Sequence, residues 1–175
     1  MMVNDNNGQV SIGDLIRMIR EGESETLEFK KTVTAELGKD IVAFANTSGG
    51  TILVGVSNTG NIVGAPKDAE QRISDILLNI VPPLKVSIRS LKVENKKVVI
   101  INVPQSPRIH TFRNIAYIRV GRNVRPLDIY ELLSKASESV LFFSDKAPTD
   151  APASELSEKI FRWYLERRKE VRGLS

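Results

Sequence analysis

Thr51-Ile-Leu-Val-Gly-Val56 is the stretch of this chain that most constrains its fold, because it is almost continuously apolar. Such a run reads as a central strand covered on at least one face. The turn residues Asn58-Thr-Gly-Asn61 follow it, and Ile62-Val-Gly64 is expected to return as a short strand, making a local β-hairpin. Other segments must supply the cover.

Three helices are available for that purpose. Ser11 caps the first, with Asp14 in the capping-box position, and Ile12, Leu15, Ile16 and Ile19 form an apolar stripe that ends before Gly22. In the second, Glu36 to Asn46, residues Leu37, Ile41, Phe44 and Ala45 are expected to face the core while Lys39 and Asp40 face solvent. The third runs from Asp68 to Ile80, and Pro82-Pro83 stops it.

Thr26-Leu-Glu-Phe-Lys30 alternates as a strand does, with Leu27 and Phe29 on one face and Glu28 and Lys30 on the other. Lys85 to Val93 and Lys97 to Val103 form a further pair joined through Glu94-Asn95-Lys96, and a strand around Tyr117 follows. This order of elements predicts an α+β domain with a mixed, mainly antiparallel sheet and packed helices, since the hairpins argue against a doubly wound fold. The expected organisation is a flexible tail over 1–10, the domain over 11–146, a linker over 147–153 and a helical appendage over 154–175. Within the domain, Asp128 is a plausible cap for a further helix, Ile129 to Ser139.

The chain of 175 residues has a formal charge of only +4, an excess that matters if it is gathered in one place. It is gathered. Between Pro104 and Leu127 lie Arg108, Arg113, Arg119, Arg122, Arg125 and the single histidine, His110, with no acidic residue. Period-two alternation puts Tyr117 and Arg119 on one strand face and Ile118 and Val120 on the other, ahead of a turn at Gly121-Arg122-Asn123. An aromatic ring beside a guanidinium suits a polyanion with flat bases. Arginine also offers a rigid fork of donors that matches phosphate geometry. Two plainer roles compete: edge strands carry basic residues to prevent pairing with another molecule, and Tyr117 could be a half-buried core residue.

The absence of cysteine excludes disulfides, thiol nucleophiles and cysteine-ligated metal sites, and one histidine excludes histidine pairs. No apolar run approaches the length of a bilayer span, and the first residues lack the basic and hydrophobic sections of a secretory signal, so a cytoplasmic location and no membrane partner are expected.

Two further clusters bear on chemistry. Asn46-Thr-Ser-Gly-Gly50 links a helix to the central strand, and exposed amides at Gly49 and Gly50 could accept a phosphate. The same glycines could serve only to end a helix and begin a strand. Glu21, Glu23, Glu25 and Glu28 precede Lys30 and Lys31; if Glu23 and Glu28 converge, they could bind Mg²⁺ or Mn²⁺ and position water against a phosphodiester, with Asp40 or Asp68 as a third ligand. The competing role for Glu28 is a buried or partly buried ion pair with an arginine of the basic segment.

In order along the chain, Glu23-Ser-Glu-Thr-Leu-Glu-Phe-Lys30, Ala43-Phe-Ala-Asn-Thr-Ser-Gly-Gly-Thr-Ile-Leu-Val-Gly-Val56, Gly60-Asn-Ile-Val-Gly64, Val103-Pro104 and Tyr117-Ile-Arg-Val-Gly121 resemble the Schlafen/AlbA-type domain family. The resemblance runs from about Ile12 to Leu133. It implies an α+β domain found in bacterial and archaeal regulators and in Schlafen proteins, generally linked to DNA or RNA. Glu28, Phe29 and Lys30 match its acidic-aromatic-basic strand, Asn46, Gly49 and Gly50 its helix-to-strand turn, and Tyr117, Arg119 and Gly121 its late strand.

The expectation is therefore a nucleic-acid-binding module, DNA first, with a role in transcriptional regulation and no cofactor. Lys30, Arg108, Arg113, Arg119, Arg122 and Arg125 would meet phosphates and Tyr117 would stack on a base. Some Schlafen relatives cut structured RNA, and Glu23 and Glu28 match their glutamates, whereas Asn58 stands where an aspartate is expected. Asparagine cannot replace the charge of a metal-binding carboxylate. A metal-dependent ribonuclease using Mg²⁺ or Mn²⁺ is thus the second reading. A third is a protein-interaction module that dimerises through Phe161 and Tyr164 of the terminal helix.

Overall fold

The computed structural model describes residues 10–144. The elements in order are α1 (Ile12–Glu21), β1 (Leu27–Lys30), α2 (Leu37–Ala45), β2 (Gly50–Val54), α3 (Ala69–Leu77), β3 (Ile80–Val81), β4 (Ser87–Val93), β5 (Lys96–Val103), β6 (Thr111–Phe112), β7 (Tyr117–Val120), β8 (Asn123–Pro126) and α4 (Ile129–Ser144). The chain divides into two compact units, Met1–Asp128 and Ile129–Ser175. The first holds the sheet and every predicted site residue. The second contributes α4; the expected linker and terminal helix, with Phe161 and Tyr164, lie outside the described residues.

The apolar run becomes β2, the inner strand of a four-stranded sheet in the order β1-β2-β5-β4. It pairs parallel with β1, Leu27 opposite Thr51, and antiparallel with β5, Ile52 opposite Ile101. Beyond β5, strand β4 completes the sheet antiparallel, Ile88 opposite Ile101. Two short antiparallel pairs, β3-β6 and β7-β8, accompany it. The fold is α+β with a mainly antiparallel sheet, as the element order predicts.

Strand alternation divides the core in two. Ile52 and Val54 of β2 join Val99 and Ile101 of β5, Ile41 and Phe44 of α2, and Ile73 of α3. On the opposite face Leu53 joins Leu27, Phe29, Val98, Ile100 and Leu15 of α1. Each large aliphatic side chain buried in this way contributes about 1.5–3 kcal/mol relative to exposure. Helix α1 begins at the predicted capping box, Ser11 Oγ accepting from the Asp14 amide and the Asp14 carboxylate accepting from the Ser11 amide, both at 3.1 Å.

Three expectations fail for physical reasons. The chain folds back after β2 but the return is no strand: a single antiparallel Val56–Ile62 bridge forms, with the Ser57 amide donating to the Asn61 carbonyl at 2.9 Å and the Val63 amide to the Gly55 carbonyl at 2.8 Å. The chain instead turns away at Gly64, and the Ala65 amide donates to the Lys97 carbonyl of β5 at 2.6 Å. Asp40 is buried, not solvent-facing, because it shares a helical stripe with Phe44, four residues on. On β7 the two-faced pattern is replaced by burial of Tyr117, Ile118 and Arg119 together, leaving Val120 exposed. The core contact on this strand is made by Tyr117, which joins the α2 and α3 cluster.

Candidate nucleic-acid interface and the buried charge network

Alternation on β1 sends Leu27 and Phe29 toward α1 and leaves Glu28 and Lys30 on the face toward α2. There Lys30 Nζ lies 2.9 Å from Glu28 Oε1 and 3.0 Å from Asp40 Oδ2. The second oxygen of Glu28 accepts from Arg119 Nη2 at 3.1 Å. Asp40, Lys30, Glu28 and Arg119 thus form a chain of alternating charge that ties α2 to β1 and β1 to β7.

Arg119 is fully enclosed, its side chain 0% exposed. Its guanidinium carbon sits 4.2 Å from the centre of the Phe44 ring, a cation–π contact made stronger by exclusion of water. Nη2 also donates to the Ser24 carbonyl at 3.0 Å, and the Arg119 amide donates to Thr47 Oγ1 at 3.0 Å. Nε and Nη1 are buried without a hydrogen-bond partner, and the guanidinium to which they belong lies over the face of Phe44. This is the ion pair that competes with catalysis for Glu28 in the sequence reading. Arg119 is an internal brace and not the exposed phosphate contact expected from charge counting.

Burial is the largest influence on Asp40 and lifts its carboxyl above the ordinary aspartate value, against the pull of Lys30. Burial acts on Lys30 in the opposite sense, but Asp40 and Glu28 together outweigh it and hold the ammonium above the ordinary lysine value. Both shifts are upward, which favours the charged form of Lys30 and disfavours that of Asp40. Lys30 gains from two carboxylates, whereas Asp40 is more deeply buried and has Glu28 repelling it against the pull of Lys30 and, more weakly, Arg119, so Lys30 is the firmly charged member. It bridges two acids and is not the phosphate contact expected of it.

Lys30→Met leaves Asp40 without its ion-pair partner and facing Glu28, which keeps only Arg119. We expect a loss of about 2 kcal/mol at pH 7, below the roughly 3–5 kcal/mol of a fully buried pair because the site is partly exposed and Arg119 still pairs with Glu28. Without Lys30 the folded-state pKa of Asp40 rises further above its unfolded value, so stability increases as pH falls through that interval. Urea unfolding at pH 7 and pH 4 should show the deficit of the variant shrinking at the lower pH; an equal deficit at both would contradict the assignment.

The helix-to-strand turn is likewise structural. Asn46 is buried, accepts from the His110 amide at 2.8 Å, and donates through Nδ2 to the His110 carbonyl at 2.8 Å and the Tyr117 carbonyl at 2.9 Å. A Cβ at Gly49 would come within 2.7 Å of the Gln105 amide nitrogen and 2.8 Å of the Val103 carbonyl oxygen; at Gly50 it would lie 2.4 Å from the Phe44 ring. These positions are closed by packing, and the Gly49 amide already donates to the Phe44 carbonyl at 2.8 Å. The expected phosphate contact at Asn46, Gly49 and Gly50 is therefore corrected to a joint between α2, β2 and the loop before β6.

His110 and Tyr117 leave the surface as well. Nδ1 of His110 donates to the Pro82 carbonyl at 2.7 Å, and Nε2 lies within hydrogen-bond distance of Ser106 Oγ at 2.8 Å. Tyr117 is 8% exposed, so its ring is not open to base stacking.

What stays at the surface is a smaller set. Arg108, Arg113, Arg122 and Arg125 are all exposed. Arg113 occupies a tight turn with Asn114, closed by the Phe112 and Ile115 hydrogen bonds at 2.9 and 3.1 Å, and its guanidinium lies 5.0 Å from the Phe112 ring. Its nearest carboxylate is Glu36, 3.6 Å away, which also pairs with Lys39, so the trio keeps a net positive charge. Arg122 stands in the two-residue turn between β7 and β8, opposite the closing pair Val120 and Asn123.

Glu23 does not join Glu28 in a metal site. Its Oε1 accepts from the Phe29 amide at 3.2 Å, and the neighbouring Ser24 amide donates to the Leu27 carbonyl at 2.9 Å. The pair caps the outer edge of β1. With both Glu28 oxygens held by cations, Glu23 engaged by backbone and Asn58 in place of a third acid, the residues present do not fit a resident Mg²⁺ or Mn²⁺. Among the described residues no group of three possible ligands is assembled.

A family model for "Schlafen, AlbA_2" matches residues 23–128, spanning the sheet, the charge network and the arginine-bearing turns. The chain belongs to the Schlafen AlbA_2 family. Family membership implies a nucleic-acid-binding role for this AlbA_2 domain. Among solved structures, the DIP2311 protein from Corynebacterium diphtheriae is similar, with 22% identity and a TM-score of 0.52, covering 63% of this chain and 26% of that one. This AlbA_2 chain therefore spans about a quarter of that protein's length, and the likeness concerns the fold alone. The N-terminal domain of a RecG-related protein from Nitrosomonas europaea aligns with 18% identity and a TM-score of 0.44 over 69% of this chain and 95% of that domain. No curated protein matches. No helix among the described residues is long and apolar enough to cross a membrane.

Sequence reasoning missed Asp40 and Phe44 as parts of the AlbA_2 charge network. The available signal was their spacing of four on α2, facing an alternating Glu28-Lys30 strand.

Proposed function

We propose that this domain binds nucleic acid, with DNA the favoured polymer, and serves in transcriptional regulation by gripping backbone phosphates through Arg108, Arg113, Arg122 and Arg125. The observation that carries this reading is the outward display of four arginines from a segment with no acidic residue, in a member of the AlbA_2 family. Contacts of this kind give affinity with little sequence discrimination. A protein acting so would work wherever the cell keeps its nucleic acid, which fits the expected cytoplasmic location.

Titrations against length-matched single- and double-stranded DNA and RNA at one salt concentration test the polymer class. Tightest binding to duplex DNA, indifferent to its sequence, is the expected result. Failure to bind any of the four polymers at low salt would refute the proposal. Replacing either Arg113 or Arg122 by alanine should weaken binding about three- to tenfold without altering the preference among polymers.

A further inference from the structure

The two edges of the main sheet are finished differently. On β1 the outward groups of Leu27 and Phe29 meet the Ser24 amide and the Glu23 carboxylate. No comparable closure exists along β4 among the described residues, although it is longer, with seven residues.

The ladder fixes which groups of β4 face outward. The Lys97 carbonyl is taken by Ala65, and Val99, Ile101 and Val103 face β2 in the register Val54, Ile52 and Gly50. Lys96, Val98, Ile100 and Asn102 therefore turn their backbone groups toward β4, where they meet Val93, Leu91, Arg89 and Ser87. That leaves the amides and carbonyls of Ile88, Ser90 and Lys92 pointing off the edge of the sheet.

Charge adds a second observation. Lys85, Arg89, Lys92 and Lys96 are exposed along this hairpin, and Glu94 is the only acidic residue between Lys85 and Lys96. Ile88, Leu91 and Val93 are half-buried and offer apolar contact on alternate faces. A nucleic acid would satisfy the cations but not a row of alternating amides and carbonyls. An extended peptide rich in Asp or Glu satisfies both.

We propose that β4 is a docking edge for an extended acidic peptide segment, which pairs with Ile88, Ser90 and Lys92 and places its carboxylates against Lys85 and Lys92. Backbone pairing supplies the affinity and the flanking cations select for acid, as in strand addition generally. The arginine-bearing turns are not required for this interaction.

The test uses the full chain and a fluorescent peptide alternating valine and glutamate, matched to the seven residues of β4. We expect it to bind about tenfold more tightly than its valine–lysine counterpart and to shift the backbone amide resonances of Ile88, Ser90 and Lys92. Ser90→Pro removes an outward amide without touching the β5 ladder and should weaken binding about tenfold, whereas Ser90→Ala, which keeps that amide, should bind within about twofold of the parent. Amide spectra of the remaining sheet confirm that the proline variant is folded. Undiminished binding by a folded Ser90→Pro chain would overturn the proposal. So would a DNA oligonucleotide shifting these amides where the acidic peptide does not, or a doubled mass in light scattering that Ser90→Pro abolishes, which would make a second copy the occupant.

Discussion

Arg119→Met should cost the protein about 3–5 kcal/mol, the usual penalty for breaking a buried ion pair on one side. The methionine fills much of the same volume against Phe44, so packing loss is a minor part of the effect. What remains is a Glu28 oxygen without its donor and a Ser24 carbonyl likewise stripped, beside the enclosed space that the guanidinium filled. Lys30 still pairs with the other Glu28 oxygen, which keeps the loss within that range. Arg119→Lys should fall between parent and methionine, because lysine keeps the charge but not the fork. Urea unfolding measures both. If Arg119→Met unfolds within about 0.5 kcal/mol of the parent, the ordinary range for surface changes, Arg119 is not the brace described here. Where Arg119→Lys remains folded, its affinity for nucleic acid should match the parent, since a guanidinium with no exposed surface contacts no phosphate.

Asn46→Ala should be equally damaging, at about 3–5 kcal/mol. One amide side chain makes three buried hydrogen bonds across the joint between α2, the loop before β6 and the start of β7. Its loss leaves the His110 amide and two carbonyls without partners, at roughly 1–3 kcal/mol for each unsatisfied group, less whatever water recovers. Asn46→Asp separates this account from simple packing. The aspartate has the same shape, but it turns the donating amide into an oxygen facing the carbonyls of His110 and Tyr117. It should be at least as destabilising as alanine by thermal or urea unfolding. A well-tolerated Asn46→Asp would show that shape, not hydrogen bonding, is what the position requires.

These two residues show where sequence reasoning reaches and where it stops. Strand β2, the capped α1 and the apolar stripes of α2 and α3 were legible because periodicity and turn residues are local signals. The pairing of β2 with β5 was not, since two strands separated by a helix and several turns advertise no register. Ile62-Val-Gly64 had the local pattern of a return strand, and it does come back against Gly55 and Val56, but the backbone bond from Ala65 to β5 takes the chain away after one bridge. For the site, residue type correctly marked a cationic segment but could not say which arginines face inward. Arg119 differs from Arg122 only in having Phe44 and Glu28 opposite it, contacts supplied by residues more than 70 positions away. Asn46, Gly49 and Gly50 stood out in the sequence with two roles open, a phosphate contact or a helix-to-strand joint, and the crowding around both glycines favours the joint.

Binding through exposed arginines, with Arg119 held inside, is tested most directly by the salt dependence of duplex DNA affinity in the parent chain and in the Arg113→Ala/Arg122→Ala double variant. Each phosphate contact contributes about 0.9 to the slope of log K against log salt, so the double variant should lose roughly two contacts' worth, about 1.8, while keeping the parent's stability. A parental slope near zero, or a double variant whose slope and affinity equal the parent's, would contradict the account.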